Sequence, residues 1–286
     1  MGMRSSVLAL AWGAAHALLS FTSMAIAQPE TTPSYSLNAK GLIDVAEDGS
    51  VIDYQLEEEL QKEVADAFGK SIMKWRFDPV LVEGKPARVR TRMFARLSGE
   101  STSTDRYAIR LIDVQFGSFA TYESVAPVRY PVQALKSLMG ARAIMVVLVD
   151  PGGNVTQVHT QQVNLYGNLK SSRRASELRD QFAEASAQSV REWKFAPKEP
   201  VPGAVDYSVV LVVDYKLGGN VRWSERLVPG PVVLAPWMTR SGVPVEDDYM
   251  ATHVAGEGAQ KPRPAPQPFL SDRRFKLQTD PIGSLL

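Results

Sequence analysis

The sequence predicts an α+β fold made of two small modules, each an antiparallel three-stranded sheet with helices packed on one face. Three observations carry that prediction. A short pattern occurs twice, as Trp75-x-Phe77-x-Pro79 and as Trp193-x-Phe195-x-Pro197. Each copy ends a helical-looking run and is followed by a strand-like segment. Each is preceded by strand, turn and strand: Val45 to Val51 around Asp48-Gly49, then Val149 to Val155 around Asp150-Pro151-Gly152-Gly153. An internal repeat defines the structural unit and is therefore read first.

Taken in order, the chain opens with a targeting segment, residues 1–27. Arg4 supplies a positive end, Val7 to Leu19 an apolar run, and Ala25-Ile26-Ala27 an A-x-A cleavage site, which makes Gln28 the first mature residue. The rival reading is an uncleaved anchor, because Ser5 to Ala27 approaches the ~20 residues that span a bilayer. Gly13, His16, Ser20, Thr22 and Ser23 break the hydrophobicity and favour a cleaved signal peptide. No later segment is apolar enough to span.

The first repeat is assigned to residues 34–98. Ser34 to Val45 and Val51 to Leu56 form a hairpin, because both positions of an Asp-Gly turn accept positive φ. Leu56, Leu60, Val64, Phe68 and Ile72 recur every four residues, with Trp75 close behind, and make one helical stripe. Asp78-Pro79 stops it, and Gly84-Lys85-Pro86 turns the chain. Arg88 to Leu97 then alternates. Val89, Thr91, Met93, Ala95 and Leu97 share one face, while Arg88, Arg90, Arg92 and Arg96 share the other with Phe94. Residues 99–105 are polar and read as a linker.

The second unit is assigned to residues 106–217, with an extra leading strand over Tyr107 to Phe116. Its alternation slips phase, which predicts a bulge near Leu111. Pro131 suits the first turn of a short helix that Gly140 ends. Ala143 to Val149 and Val155 to Val163 are strands, and Ser172 to Trp193 is the long helix with Leu178, Phe182, Ala185, Val190 and Trp193 inward. In Val205 to Leu217, Tyr207, Val209, Leu211, Val213 and Tyr215 share the core face, and the other face is expected to meet solvent. Residues 218–286 read as an irregular Pro-rich tail, with Val232 to Trp237 as a possible further strand and Lys261 to Pro268 polyproline-like.

Composition bounds the function. The 286 residues suffice for one large domain or two small ones. A formal charge of +1 gives no global attraction to nucleic acid or membrane. The absence of cysteine excludes disulfides, zinc–thiolate sites and cysteine nucleophiles.

The second repeat resembles the TonB C-terminal domain family. The resemblance rests on Tyr130-Pro131-x-x-Ala134, Gly140, the Pro151 to Val155 turn, and Ala187-x-x-Val190-x-x-Trp193-Lys-Phe195-Ala-Pro197, in that order, and covers roughly Pro127 to Leu217. The first repeat matches from Asp48-Gly49 onward and lacks the Tyr-Pro helix. The resemblance implies a periplasmic module that adds an extended segment of an outer-membrane transporter as a further strand. Carried over, the receiving edge is Tyr207, Val209, Leu211, Val213 and Tyr215, with Arg129 and Tyr130 beside it. Energy-transducing members keep an uncleaved anchor with a serine four residues before a histidine; here Trp12 stands four before His16. That departure, together with two copies and no spacer, points to a periplasmic relative that does not itself transduce energy.

Other features have plain readings. Trp75, Phe77, Trp193 and Phe195 read as core plugs rather than stacking platforms. Arg88, Arg90, Arg92 and Arg96 could hold an anionic partner such as peptidoglycan, or form a solvated face that discourages aggregation. His159 and His253 are isolated and suggest no metal site. Glu57-Glu58-Glu59 reads as a helix N-terminal charge cluster. No Gly-x-Ser-x-Gly or Ser-x-x-Lys context surrounds a serine. The expectation is a non-enzymatic binding protein without cofactor, metal, nucleic acid or small-molecule substrate. The alternative is a structural envelope protein that uses the arginine face.

Overall fold

A computed structural model describes residues 34–57, 60–103, 106–166, 171–199, 203, 206–216, 227–238, 249–253 and 267–286. The signal-peptide reading, Glu58, Glu59 and most of the proline run lie outside the described residues.

Strands β1 (Ser34–Val45) and β2 (Val51–Leu56) pair antiparallel across the Asp48-Gly49 turn. The Asp48 carboxylate accepts from the Ser50 N–H at 2.9 Å and its hydroxyl at 2.7 Å. Helix α1 (Lys62–Ile72) buries Phe68 and Ile72. A small hairpin, β3 (Leu81–Val82) and β4 (Lys85–Pro86), leads into β5 (Val89–Ser103) and β6 (Arg106–Ser124). Helix α2 (Val132–Lys136), β7 (Gly140–Val149), β8 (Val155–Tyr166), α3 (Ser172–Val190), β9 (Lys194–Pro197) and β10 (Tyr207–Lys216) follow. The last strands are β11 (Leu227–Val228), β12 (Tyr249–His253) and β13 (Phe269–Asp272).

Eleven strands form one sheet in the order β11-β8-β7-β10-β13-β6-β5-β1-β2, with β12 added to β10 and β9 to β6. The fold is therefore α+β and mainly antiparallel, but with one shared sheet rather than a separate one for each repeat. Within it the order β2-β1-β5 recurs as β8-β7-β10. Residues 33–286 form one compact unit.

Three boundaries differ from expectation. Of the segment read as a linker, residues 99–103 are sheet: β5 continues to Ser103, which pairs with Arg106 of β6, and residues 104–105 lie outside the described residues. Its Ser and Thr residues extend a long hairpin, because the neighbouring strand supplies the ladder that local composition does not reveal. The tail read as irregular also contributes strands. Phe269–Ser271 pair with Phe119–Gly117 of β6, and Tyr207–Ser208 of β10 pair with Asp272–Ser271. At this junction a Cβ on Gly117 would sit 1.9 Å from the Leu270 carbonyl oxygen, so close backbone approach requires glycine there. Gly140, expected to end α2, instead begins β7. The predicted bulge is present: Arg96 pairs with Asp113 and Leu97 with Leu111, which leaves Ile112 extra.

The repeated motif has one physical role in both copies. The Phe77 N–H donates to the Gly49 carbonyl, and the Phe195 N–H to the Gly153 carbonyl, each at 2.8 Å. Helix end and hairpin turn are thus tied together. Gly49 and Gly153 have φ of +83° and +86°, and a Cβ there would lie 1.9 Å and 1.7 Å from the Phe77 and Phe195 oxygens. Trp75, Phe77, Trp193 and Phe195 are buried as core plugs. The Trp193 indole donates to the Ala126 carbonyl at 2.9 Å, whereas the Trp75 indole N–H has no partner among the described residues.

Each helix covers its own core. One contains Phe68, Ile72, Trp75, Phe77, Met93, Leu97 and Phe116. The other contains Leu178, Phe182, Val190, Trp193, Val209, Leu211, Val213 and Tyr215. On the opposite face of the sheet, Phe94 packs with Phe269 and Phe119.

Candidate functional site

The expected receiving edge is taken up along most of its length. Along one side, β10 pairs with β7 from Tyr207 to Tyr215. Along the other, β13 takes Tyr207 and Ser208, and β12 runs parallel from Val212 to Lys216. Tyr207, Val209, Leu211, Val213 and Tyr215 all point into the core. The alternation marks the buried face, while tail segments distant in sequence supply the second neighbour. Tyr130 does lie beside this strand. Its ring meets Tyr215 edge-on at 5.4 Å, its hydroxyl donates to the Met139 carbonyl at 2.7 Å, and burial pushes its phenol well above the ordinary value. Arg129 is exposed.

The outer face of β10 does not meet solvent either. Val210 and Val146 pack under Ala235, with Trp237 and Met238 alongside. Asp214 is fully buried there and accepts from Arg142 at 3.0 Å and the Tyr166 hydroxyl at 2.7 Å. Burial first, then the Asp214 bond, raises the Tyr166 phenol.

The arginine face is engaged by acids of the same face. Asp44 accepts from Arg90 at 2.7 Å on both carboxylate oxygens, and from Arg88 at 3.0 Å. The Arg90 bond, with Arg88 adding to it, outweighs burial and holds the Asp44 carboxyl at about 2. Arg92 donates to both oxygens of Glu199, at 2.7 and 2.9 Å, and to Glu57. Glu199 is lowered chiefly by its Arg92 bond. Glu57 is thus a cross-strand partner and not a helix cap; α1 begins only at Lys62. Arg96 sits opposite Asp113 in the ladder. This face is largely a charge-paired sheet surface rather than a cationic patch.

The candidate site that the structure adds is β2. It ends the sheet, and among the described residues no strand lies on its outer side. The Glu57 N–H donates to the Lys40 carbonyl at 2.9 Å. Antiparallel ladders alternate inward and outward pairs. Asp53 and Gln55 therefore turn their backbone groups toward β1, and Tyr54 and Leu56 turn theirs outward. Ile52 is the extra residue of a bulge, where Val45 pairs with Val51 and Asp44 with Asp53, and it is 42% exposed. The outward Tyr54 N–H is held by the Asp53 carboxylate at 2.8 Å. The Tyr54 and Leu56 side chains pack on the α1 core, where a Cβ on Gly69 would strike the Tyr54 hydroxyl at 1.9 Å. Two surface hollows border this region, one lined by Asp44, Asp53, Tyr54, Gln55 and Arg90, the other by Ala46, Glu47, Asp48, Ser50 and Arg88.

The corresponding strand of the second copy, β8, is covered. Leu227 and Val228 pair with Tyr166 and Leu165. Further along, the Val233 N–H donates to the Gln161 carbonyl at 2.8 Å, and the Gln162 amide donates to the Gly230 carbonyl at 2.9 Å. Val232 to Trp237, expected as a further strand, forms none: it touches this edge at Val233, then turns at Pro236 and Trp237 and lies over Val146 and Val210.

Among the described residues, no group of three or more His, Cys, Asp or Glu is placed to hold a metal ion. Among them, too, no helix is long and apolar enough to cross a membrane. Comparison with protein-family models, curated proteins and solved structures finds no match for this chain.

Proposed function

We propose that this is a non-enzymatic periplasmic binding protein, built from two TonB C-terminal-like copies, that takes up an extended segment of an envelope or outer-membrane transporter protein by strand addition. The observation that carries it is β2, a six-residue outer strand with outward backbone groups. Unpaired N–H and C=O groups on such a strand are completed by an incoming extended chain. The recurrence of the order β2-β1-β5 as β8-β7-β10, each with a helix on one face, supports the two-copy reading. The segment beside β8 supports the binding mode, because this chain itself pairs Leu227 and Val228 with the equivalent edge and bonds it again at Val233. The receiving strand proposed is β2, since β10 has neighbours on both sides.

The test is an NMR titration of the amide-labelled protein with extended peptides from envelope proteins. Shifts are expected at Tyr54 and Leu56, with new exchange protection at both. Peptides that bind elsewhere and leave both amides unmoved would refute strand addition at β2.

A further inference from the structure

The two equivalent edges differ in charge, and that difference points to the chemistry of the partner. From Glu47 to Glu59 the chain carries six carboxylates and no lysine or arginine: Glu47, Asp48, Asp53, Glu57, Glu58 and Glu59. Strand β8 carries no Asp, Glu, Lys or Arg, and neither does Leu227 to Val233, the segment that meets its edge. The uncharged edge thus holds an uncharged internal segment, while the acidic edge has no strand on its outer side among the described residues. The nearest cations offset only part of this acidity: Arg92 pairs with Glu57 and Arg76 acts on Asp48, while the Asp53 carboxylate accepts from the neighbouring Tyr54 N–H. Arg88 and Arg90 are bonded to Asp44, and Arg92 is shared between Glu57 and Glu199.

The two faces of β2 are also unlike. Asp53 and Gln55 lie on the polar face, across from Asp44 and Leu42 of β1. Tyr54 and Leu56 lie on the α1 side, against the apolar core. Because side chains of an added strand alternate between faces, each face selects its own residue type.

Resting on the strand-addition reading, we infer that β2 takes a cationic alternating segment, with Lys or Arg on the face of Asp53 and Glu57 and aliphatic residues on the face of Tyr54 and Leu56. Opposite charges directly across a ladder stabilise it and like charges destabilise it. Asp53 has a defined part: its carboxylate leaves the Tyr54 N–H, which then donates to the incoming carbonyl, and turns to the incoming cation.

The experiment uses the whole chain and four blocked peptides: alternating Lys-Val, alternating Glu-Val, alternating Thr-Val, and a peptide of the Lys-Val composition with its lysines clustered. The alternating Lys-Val peptide should shift the Tyr54 and Leu56 amides and bind roughly tenfold more tightly than alternating Glu-Val, a gap that two reversed cross-strand pairs supply. The preference should fall with added salt, and Asp53→Lys should abolish or invert it. Equal binding by Thr-Val or Glu-Val through the same amides would overturn the charge rule and leave strand addition standing. Equal binding by the clustered peptide would reduce the effect to plain attraction and overturn the inference. Silence of both amides with every peptide would overturn this inference and the underlying reading together. Shifts of those amides with protein concentration alone would name a second copy as the occupant, and also overturn it.

Discussion

Three glycines with nearly equal backbone angles make an internal experiment on the repeat. Gly49, Gly84 and Gly153 have φ of +83°, +79° and +86°. Replacing any of them with alanine imposes the same left-handed strain, roughly 1–2 kcal/mol. They differ in what the new methyl group meets. At Gly84 nothing lies within 4 Å, while at Gly49 and Gly153 the Phe77 and Phe195 oxygens lie at 1.9 and 1.7 Å. Those two turns must move away and lose the Phe77 or Phe195 hydrogen bond. An unpaired buried N–H costs a further ~1–3 kcal/mol. Gly49→Ala and Gly153→Ala should therefore exceed Gly84→Ala by about 2 kcal/mol, which for a domain of this size is roughly 4–8 °C in Tm. Thermal and urea unfolding of the three variants measure it. Three equal losses would refute the claim that turn and motif are held by close backbone contact.

Other perturbations have equally definite outcomes. Trp193→Phe strands the Ala126 carbonyl whereas Trp75→Phe strands nothing, so the first should be less stable than the second by roughly 1 kcal/mol in urea unfolding. Asp44 is depressed from its ordinary 3.8 to about 2, so its contribution of about 2 kcal/mol is present above pH 4 and disappears as pH falls toward 2; Asp44→Asn should flatten that part of the stability curve. Phe269→Ala empties the contact with Phe94 and Phe119 and should cost about 3–5 kcal/mol, with faster proteolysis at the β13 junction.

Much of the fold is written locally. The boundaries of β1 and β2, the Val64, Phe68 and Ile72 part of the α1 stripe, the β6 bulge and the core-facing set of β10 all follow from period and turn chemistry over a dozen residues, whereas Leu56, read as the start of that stripe, ends β2 and Leu60 lies before α1. What is not local was not legible. Phe269 to Asp272 is too short to announce itself as a strand, yet it joins β10 to β6 and makes one sheet. For the same reason the receiving edge was placed on β10, since a period-two pattern reports burial and not the number of neighbours. The arginine face showed its cations, while their partners Asp44, Glu57 and Glu199 come from three separate segments. The acidic run around β2 was visible as composition; that it borders an open edge required the strand order.

The insertion of β13 has a consequence for the order of events during synthesis. Among the described strands, β13 is made last. Before it arrives, β9 already pairs with Ala120 to Ser124 of β6 and the Lys198 N–H with the Phe119 carbonyl, while Tyr207 and Ser208 of β10 lack the neighbour that β13 supplies. The pairing of β9 with β6 can align the two halves first, and the ladder between β10 and β6 is completed only by a segment made long after both. In a chain delivered in the order of its sequence, the unfinished junction is the surface most in need of protection from other chains. The same tail also completes the first core, where Phe275 is buried and Leu277, Ile282 and Leu286 pack against it.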